Sequence, residues 1–315
     1  MASKPKVLVT GATGFIGTHI VNRLMPLYDV YALERYVTGR YVLGQHRPVK
    51  TVFADLRDFA AVRNALRDAT PDYIIHLAAV SPVAYSYDHP QEVLDANFLG
   101  TVNLAESALR ECPNLKQLLF ASTSEVYGNG DKVRKEDTPP YPNSPYAVAK
   151  LACEKYLSYL NDAYSFPSTI LRPFNSYGRT SNTHFIVERT IVQMMGGGPV
   201  RLGDPTPVRD MLYVDDHVDA YLTCLGNRKA VGEVFNFCTG RAATIGELVG
   251  IIAKIVGYSG EIIWDSVPKR PLDIQYLVGD NSKAKSVLGW EPKFSLELGL
   301  KRTVEALRKE PEKPS

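Results

Sequence analysis

Cysteine is scarce in this chain, and the cysteines it has are far apart. Four occur among 315 residues, at Cys112, Cys153, Cys224 and Cys238. Neither they nor the six scattered histidines show the close spacing of a zinc site, so we predict no metal. Isolated cysteines of this kind suit small buried side chains in a reducing compartment, which predicts a cytoplasmic protein.

Long apolar runs and a large net charge are also missing. No run approaches the ~20 apolar residues that cross a bilayer, and the first few residues lead straight into a predicted strand without the pattern of a signal peptide. Lysine and arginine together number 36, aspartate and glutamate 34, and the formal net charge is +2. This balance does not favour nucleic acid or an anionic membrane as the main partner.

Short apolar runs alternate with helix-like segments through the first part of the chain. The runs are typical of strands at residues 7–9, 30–33, 49–53, 73–75, 117–120 and 168–171. Helix-like segments lie between them, for example at residues 59–67, 92–110 and 146–161. This order predicts an α/β protein with a Rossmann-type, doubly wound parallel sheet over residues 1–172. The rest is richer in turns, and we predict a smaller α/β domain over residues 173–315, with some segments returning to the first domain.

A glycine-rich stretch follows the first predicted strand and opens a helix-like run. It reads TGATGFIG at residues 10–17, with the glycine spacing G-x-x-G-x-x-G. Such glycines permit a tight turn and let backbone N–H groups approach a pyrophosphate, whose charge the helix N-terminus favours. A glycine-rich turn alone can be merely structural, but its place after strand one favours a dinucleotide site. The expected cofactor-binding residues are Gly11, Thr13, Gly14, Phe15, Ile16 and Gly17.

The ends of the second and third predicted strands supply further cofactor candidates. Glu34 ends strand two, where a carboxylate accepts hydrogen bonds from the adenosine ribose and repels a 2′-phosphate. NAD is therefore the predicted cofactor. Arg35 follows at once and would attract that phosphate, which keeps NADP as the alternative. Asp55 and Leu56 follow strand three and are candidates for contact with adenine, although Asp55 also suits the N-cap of a helix.

A tyrosine and a lysine lie one helical turn apart in SPYAVAK, residues 144–150. Ser144 suits the N-cap, so Tyr146 and Lys150 share one face of the helix. Such pairs are common on protein surfaces, but this one stands behind a predicted nucleotide turn. A tyrosine titrates near 10, and a lysine cation and a positive nicotinamide ring would lower that pKa, so that the phenolate can act as a base. Thr123 can hydrogen-bond the same substrate oxygen.

A glutamate stands just beyond the fifth predicted strand, in ASTSEVYG at residues 121–128. Ser122 and Glu125 fit the S-x-x-E capping box of a helix. Gly128 and Gly130 follow without an apolar helical period, so there is little helix to cap. The other interpretation is that Glu125 removes a proton from a bound substrate, and this stretch alone leaves both roles open.

Further stretches, together with those above, make the chain resemble the extended short-chain dehydrogenases/reductases that act on nucleotide sugars, almost from end to end. They are HLAAVSP (76–82), DANFLGT (95–101), LRPFNSYG (171–178) and VRDMLYVDD (208–216). The stretch 270–292 is particularly similar to GDP-mannose 4,6-dehydratases and the related GDP-4-keto-6-deoxymannose reductases. The resemblance implies a Rossmann cofactor domain, a domain that mainly binds the nucleotide sugar, and a homodimer paired through two helices of each subunit.

The resemblance also implies roles for individual residues. Thr123, Tyr146 and Lys150 would form the oxidation triad. The cofactor would also contact Leu77, Ala78 and Ala79. The nucleotide sugar would be bound by Ser81, Asn97, Asn175, Arg189, Arg209 and Arg270. The three arginines among these would pair with the diphosphate, whose geometry a guanidinium fork matches.

The pair Ser124 and Glu125 decides which reaction we expect. In the families it resembles, dehydratases carry Asp-Glu or Ser-Glu after the threonine, uronic-acid decarboxylases also carry Ser-Glu, and epimerases usually carry a small residue in place of the glutamate. We therefore expect a lyase, a nucleotide-sugar 4,6-dehydratase, with Glu125 as the base at C5 and GDP-mannose as the first substrate to test. Ser124 stands where dTDP-glucose dehydratases have an aspartic acid. The alternatives are a 4-epimerase, a UDP-glucuronate decarboxylase, a GDP-4-keto-6-deoxymannose reductase and, remotely, a non-catalytic nucleotide-sensing module.

Overall fold

A computed structural model describes residues 4–35, 49–180, 184–268 and 270–309 of the chain. Its strands are β1 Lys6–Thr10, β2 Asp29–Glu34, β3 Lys50–Phe53, β4 Tyr73–His76, β5 Gln117–Ala121, β6 Ser168–Pro173, β7 Asn175–Tyr177, β8 Val200–Arg201, β9 Val208–Arg209, β10 Met211–Tyr213, β11 Val234–Phe237, β12 Ala243–Thr244, β13 Ile262–Ile263 and β14 Tyr276–Leu277. Seven of them form one sheet in the order β11-β6-β5-β4-β1-β2-β3, and every neighbouring pair is parallel. The predicted Rossmann-type α/β class is confirmed.

Helices follow most of the strands. They are α1 Phe15–Leu24, α2 Phe59–Ala69, α3 Val83–Asp88, α4 Pro90–Val93, α5 Gly100–Glu111, α6 Pro145–Tyr164, α7 Ile186–Met195, α8 Val214–Cys224, α9 Ile245–Val256 and α10 Leu296–Lys309. Over the described residues, none of the helices combines the length and apolar character that a bilayer crossing needs.

Both faces of the large sheet are buried, and the alternation along β1 illustrates how. Val7 and Val9 pack into an apolar cluster with residues of α1 and α8, whereas Leu8 packs into a second cluster with residues of α2 and α5. Successive side chains of a strand point to opposite faces, so each cluster covers one face. Each such fully buried aliphatic side chain contributes about 1.5–3 kcal/mol.

The helix predicted over residues 92–110 is interrupted by a π-helical stretch, Leu94–Leu99, between α4 and α5. Within it, Asn97 Nδ2 donates to Val80 O at 3.0 Å, and Asn97 Oδ1 accepts from Val80 N at 2.8 Å. π turns inside helices are frequent at functional sites. Here the turn presents Asn97 to the loop that follows β4 and fixes the backbone of that loop.

Strand β11 lies outside the strands predicted from the sequence, and it completes the large sheet beside β6. The remaining strands form three small sheets, β10-β7, β12-β9-β14 and β13-β8. Because β7 begins two residues after β6 ends, its residues stand at the carboxyl edge of the large sheet. Ligands of open α/β sheets bind at this edge.

Candidate active site

A cleft of about 960 Å³ runs along the carboxyl edge of the large sheet. The predicted site residues that line it are Gly11, Thr13, Gly14, Phe15, Ile16, Gly17, Glu34, Arg35, Asp55, Leu56, Leu77, Ala78, Ala79, Ser81, Thr123, Ser124, Glu125, Tyr146, Lys150 and Asn175. The structure thus brings the predicted cofactor and reactive residues to one continuous surface. Four predicted substrate residues are not part of the described lining, namely Asn97, Arg189, Arg209 and Arg270.

The glycine-rich stretch that joins β1 to α1 has no room for a side chain at Gly11 or at Gly17. Gly11 has a φ of +69°, and a Cβ on it would lie 2.8 Å from Ala78 N. A Cβ on Gly17 would lie 2.1 Å from Gly11 O. Helix α1 begins at Phe15 with no side-chain cap and no acidic residue in its first turn. Its first N–H groups are therefore available to an anion, which is the donor set that a pyrophosphate uses.

A chain of buried hydrogen bonds fixes the neighbouring wall of the cleft. Thr101 Oγ1 donates to Asn97 O at 2.6 Å, so its single proton is used and it accepts from His76 Nε2 at 2.9 Å. His76 Nδ1 then accepts from Thr10 Oγ1 at 2.7 Å, and Thr10 Oγ1 accepts from Ala78 N at 3.1 Å. Burial lowers the pKa of His76 to about 3, so the ring is neutral. The chain holds Ala78 against the glycine-rich turn.

Acidic side chains stand at the ends of β2 and β3. Glu34 ends β2, and burial raises the pKa of its carboxyl. Asp55 pairs with Arg57 at 2.6 Å between Oδ2 and Nη2, and this hydrogen bond lowers the pKa of Asp55. The suggested N-cap role of Asp55 is wrong, because the cap of α2 is Asp58, which accepts from Ala61 N at 3.0 Å. Asp55 is thus left to line the cleft.

The tyrosine and the lysine lie on α6, which begins where the sequence predicts. Ser144 caps the helix by accepting from Ala147 N at 3.2 Å. Lys150 Nζ lies 5.9 Å from the centre of the Tyr146 ring and donates to Ala121 O at 2.7 Å. Burial lowers the pKa of Lys150 to about 8, which leaves its ammonium group mostly charged at neutral pH.

The phenol of Tyr146 is largely removed from solvent, and the carboxyl group of Glu125 lies nearby. Burial raises its pKa above the ordinary value of 10.0, the Glu125 carboxylate raises it further, and hydrogen bonding to Thr123 acts in the opposite direction. In the chain alone, burial therefore outweighs the lowering predicted from Lys150. Positive charge placed beside the ring would favour the phenolate.

The glutamate of ASTSEVYG does not form a capping box. Residues Ser124–Tyr127 form one 3-10 turn, and its cap is Thr123, whose Oγ1 accepts from Glu125 N at 3.2 Å. Ser122 Oγ instead donates to Glu154 Oε1. The carboxylate of Glu125 is consequently free of a capping role and lines the cleft with Tyr146.

Opposing electrostatic effects act on Glu125. Its side chain is 9% exposed, and burial raises the pKa of the carboxyl. Arg270 and Arg209 lower that pKa, and Asp273 raises it. Arg209 is itself buried, with Nη2 3.7 Å from Asp273 Oδ1. Burial has the largest effect, and a carboxyl group with a raised pKa is suited to take up a proton and give it back near neutral pH.

A buried ion pair supports the strand end that carries these groups. Arg172 Nε and Nη2 donate to the two oxygens of Glu154 at 2.9 and 2.5 Å, and Arg172 Nη1 donates to Tyr127 OH at 2.8 Å. Glu154 also accepts from Ser122, next to Thr123. The network joins β6, α6 and the 3-10 turn, so it fixes Thr123 and Glu125 relative to α6.

The predicted substrate residues fall into two groups. Ser81 and Asn175 line the cleft, and Asn175 Oδ1 is buried with no hydrogen-bonding partner among the described residues. Asn97 is 2% exposed and bonded to the backbone just before Ser81. Asn97 thus supports that loop, and its contact with the substrate stays a prediction. Arg189 lies on α7, where Nη2 donates to His184 O at 3.2 Å.

The cleft lining also includes residues that were not predicted from the sequence, among them Arg179, His217 and Tyr221. Arg179 directly follows LRPFNSYG, and His217 directly follows VRDMLYVDD, so position beside a recognised stretch was the available signal. The rings of His217 and Tyr221 stack with centres 5.5 Å apart. All three residues lie in or next to secondary structure whose approach to the cleft depends on tertiary packing.

The sequence matches known proteins along nearly its whole length. A family model described as GDP-mannose 4,6 dehydratase matches residues 8–303. The chain belongs to this family of extended short-chain dehydrogenases/reductases. A curated relative, the UDP-glucose 4-epimerase of Mycolicibacterium smegmatis, is 34% identical over 313 residues, which cover 96% of this chain and 98% of the relative.

Solved structures in the family match along nearly the whole chain. The UDP-glucose 4-epimerase of Thermotoga maritima, solved with UDP-glucose, has a TM-score of 0.89 at 35% identity and covers 96% of this chain and 99% of its own. The dTDP-glucose 4,6-dehydratase of Streptomyces venezuelae, solved with NAD, has a TM-score of 0.88 at 28% identity, with 96% and 97% covered. The family therefore unites nucleotide-sugar epimerases and dehydratases, and both kinds resemble this chain closely.

Proposed function

We propose that this family member is a nucleotide-sugar 4,6-dehydratase, which converts an NDP-hexose to an NDP-4-keto-6-deoxyhexose, with GDP-mannose as the first candidate substrate. One observation carries the proposal. Glu125 caps nothing, lines the cleft beside Tyr146, and has a pKa raised by burial. Epimerisation at C4 needs a base only at the C4 oxygen, whereas dehydration needs a second base at C5, and Glu125 supplies it.

We propose NAD as the cofactor, with NADP as the alternative. The chain fits a dinucleotide because α1 has an uncapped N-terminus and because Gly11 and Gly17 leave a cradle that a Cβ would fill. Glu34 at the end of β2 would accept from the adenosine ribose and disfavour a 2′-phosphate. The dehydratase neighbour from Streptomyces venezuelae holds NAD.

The oxidation triad carries out the first half-reaction, which is the oxidation at C4. When bound, the nicotinamide cofactor supplies a hydride acceptor and, later, a hydride donor. Tyr146 as phenolate removes the proton of the C4 hydroxyl, and the ammonium group of Lys150 stabilises that phenolate. Thr123 hydrogen-bonds the C4 oxygen and orients it. The outcome is a ketone at C4, which acidifies the C–H bond at C5.

Glu125 then acts as the base in the elimination. Its carboxylate takes the C5 proton, a carbon–carbon double bond forms between C5 and C6, and the C6 hydroxyl leaves as water. Ser124 is a weak acid, so Glu125 also gives the proton to the leaving group. The bound cofactor would supply the hydride that C6 requires, and Glu125, protonated again from solvent, would return a proton to C5, so that the 4-keto-6-deoxy product forms without net oxidation or reduction.

A second candidate is a nucleotide-sugar 4-epimerase. Relatives carrying that activity in their names reach 34–35% identity over nearly the whole chain, which favours it on similarity. An epimerase uses Tyr146, Lys150 and Thr123 in the same way and has no step for Glu125. The two candidates therefore differ in the product and in the need for this one carboxylate.

The test is product analysis of the purified protein with NAD and a panel of GDP-mannose, dTDP-glucose, UDP-glucose and UDP-glucuronate. A dehydratase gives a product lighter by one water, with a ketone at C4. An inverted hexose would support the epimerase, and released carbon dioxide would support a decarboxylase. In a separate incubation with NADPH and an NDP-4-keto-6-deoxy sugar, stoichiometric consumption of NADPH would support the reductase. Absence of turnover with every sugar would favour a sensing module.

We also propose that the two predicted domains bind different ligands and that the protein is a homodimer. Residues 1–172 would bind the cofactor, and residues 173–315 would mainly bind the nucleotide sugar.

Helix α6 has three exposed apolar side chains that a second copy could cover. They are Val148, Tyr159 and Tyr164, which are 45%, 50% and 56% exposed. Sedimentation analysis of the wild type and of Tyr159→Glu would test this pairing.

A further inference from the structure

A second polar cluster lies in the cleft, apart from the triad and Glu125. It consists of Arg179, Ser176 and His217, and it stands beside the first turn of α1, because Arg179 Cζ lies 4.2 Å from the centre of the Phe15 ring. Helices α1 and α8 pack together, and His217 belongs to α8. None of the steps proposed above uses this cluster.

His217 presents an unused donor to the cleft. Its side chain is buried at 6% exposure, and Nε2 has no hydrogen-bonding partner among the described residues. Ser176 Oγ has one proton and two acceptors within reach, His217 Nδ1 at 2.7 Å and Phe174 O at 3.2 Å. We assign that proton to the shorter contact, which places the single ring proton of His217 on Nε2. Burial and nearby Arg179 lower the pKa of His217 to about 3, so the ring stays neutral.

Arg179 is a charged group held in a fixed position. Phe15 and Phe185 flank its guanidinium, with Cζ 3.7 Å from the centre of the Phe185 ring. Nη1 donates to Ser176 O at 2.6 Å and lies 3.7 Å from Glu188 Oε1. Glu188 is 1% exposed and is not part of the described cleft lining, so it anchors the arginine without presenting a negative charge to the cleft.

Three kinds of donor line the cleft near the start of α1. The uncapped N–H groups of α1, the guanidinium of Arg179 and Nε2–H of His217 are all donors, and two of the three carry positive charge or partial charge. A group that accepts from all of them is anionic and rich in oxygen. We propose that Arg179 and His217 clamp the pyrophosphate of the dinucleotide cofactor, completing the site begun by the glycine-rich turn. The inference rests on the proposed dinucleotide cofactor.

The test compares two ligands that share the pyrophosphate. Dissociation constants of NAD and ADP-ribose are measured by titration calorimetry for the wild type, Arg179→Met, His217→Phe and His217→Gln. We expect Arg179→Met to weaken both ligands by about 10-fold or more and His217→Phe by about 5-fold, since each loses a hydrogen bond to a charged group. His217→Gln keeps a donor and should recover part of the affinity. Arg23→Met, which removes an exposed cation from the far end of α1, is the matched control.

Each outcome decides between explanations. Equal losses for NAD and ADP-ribose support the clamp. A loss for NAD alone would overturn it, because the contact would then be to the nicotinamide half, and unchanged affinity for both ligands would overturn it as well. If Arg179→Met fails to fold, the two His217 variants carry the same test. Failure of the wild type to bind any dinucleotide would instead refute the proposed cofactor.

Discussion

Replacing Glu125 by glutamine separates its chemistry from its structure. The variant keeps the shape of the side chain and removes the base. A positioned general base contributes about 10²–10⁴-fold, so we expect turnover to 4-keto-6-deoxy sugar to fall by a factor in that range. Oxidation at C4 should survive, because Tyr146, Lys150 and Thr123 are unchanged, and reduced cofactor should accumulate on the enzyme.

The stability of Glu125→Gln relative to wild type should increase with pH, and the raised pKa of Glu125 in the folded protein sets this sign. Burial raises the folded-state pKa of Glu125 above 4.5, so the unfolded chain loses this proton at a lower pH than the folded chain does. Wild-type stability therefore falls as pH rises through the interval between the two values, by about 1.4 kcal/mol if they differ by one. Glu125→Gln lacks this loss. Its melting temperature relative to wild type should be higher at pH 7 than at pH 4.

The assay measures product by mass spectrometry, reduced cofactor by absorbance at its nicotinamide band, and melting temperature by calorimetry at both pH values. Glu261→Gln, an exposed glutamate outside the cleft, is the matched control and should resemble wild type throughout. Full turnover by Glu125→Gln together with a lower melting temperature would refute the base assignment and restore a purely structural role.

Three other substitutions test the supporting geometry. Tyr146→Phe should bind substrate yet form no reduced cofactor, as followed by absorbance; reduced cofactor at the wild-type rate would contradict the triad. Gly11→Ala should lower the free energy of unfolding in urea by about 1–3 kcal/mol and weaken cofactor binding. The reason is that a Cβ at this position would lie 2.8 Å from Ala78 N and that φ is +69°. An unchanged free energy and affinity would mean that the turn is more open. Glu154→Gln leaves Arg172 buried without its charge partner and should cost about 3–5 kcal/mol in the same assay, whereas a cost below 1 kcal/mol would show that the network is not needed.

The sequence predicts most of the large sheet because its strands are near-continuous apolar runs. Strands β1 to β6 lie within two residues of the predicted bounds. Strand β11 is missed because Asn236 interrupts its apolar run. In the structure Asn236 Oδ1 accepts from Tyr127 OH and Nδ2 donates to Arg134 O, more than 100 residues away in sequence. Those partners make a polar residue acceptable inside a buried strand, and no local pattern reveals them.

The same distinction applies to the site residues, some of which can be placed from the sequence and some of which cannot. Residues at strand ends or on a helix with a recognisable cap, such as Glu34 and Tyr146, can be placed from the sequence, since the carboxyl ends of parallel strands share one edge. Asn97 and Arg179 cannot, because their roles depend on contacts with Val80 and Phe15 that arise only when the chain packs. The branch of the family is equally hidden, since both an epimerase and a dehydratase share the fold of this chain.

The most direct test of dehydratase function follows one deuterium atom. The NDP-hexose that the panel identifies as substrate is prepared with deuterium at C4, and the product of the wild-type enzyme is examined by NMR. Dehydration with hydride return predicts deuterium at C6 of a 4-keto-6-deoxy sugar, with no net change in cofactor. Deuterium retained at C4 of an inverted hexose would contradict the account and assign the chain to the epimerases.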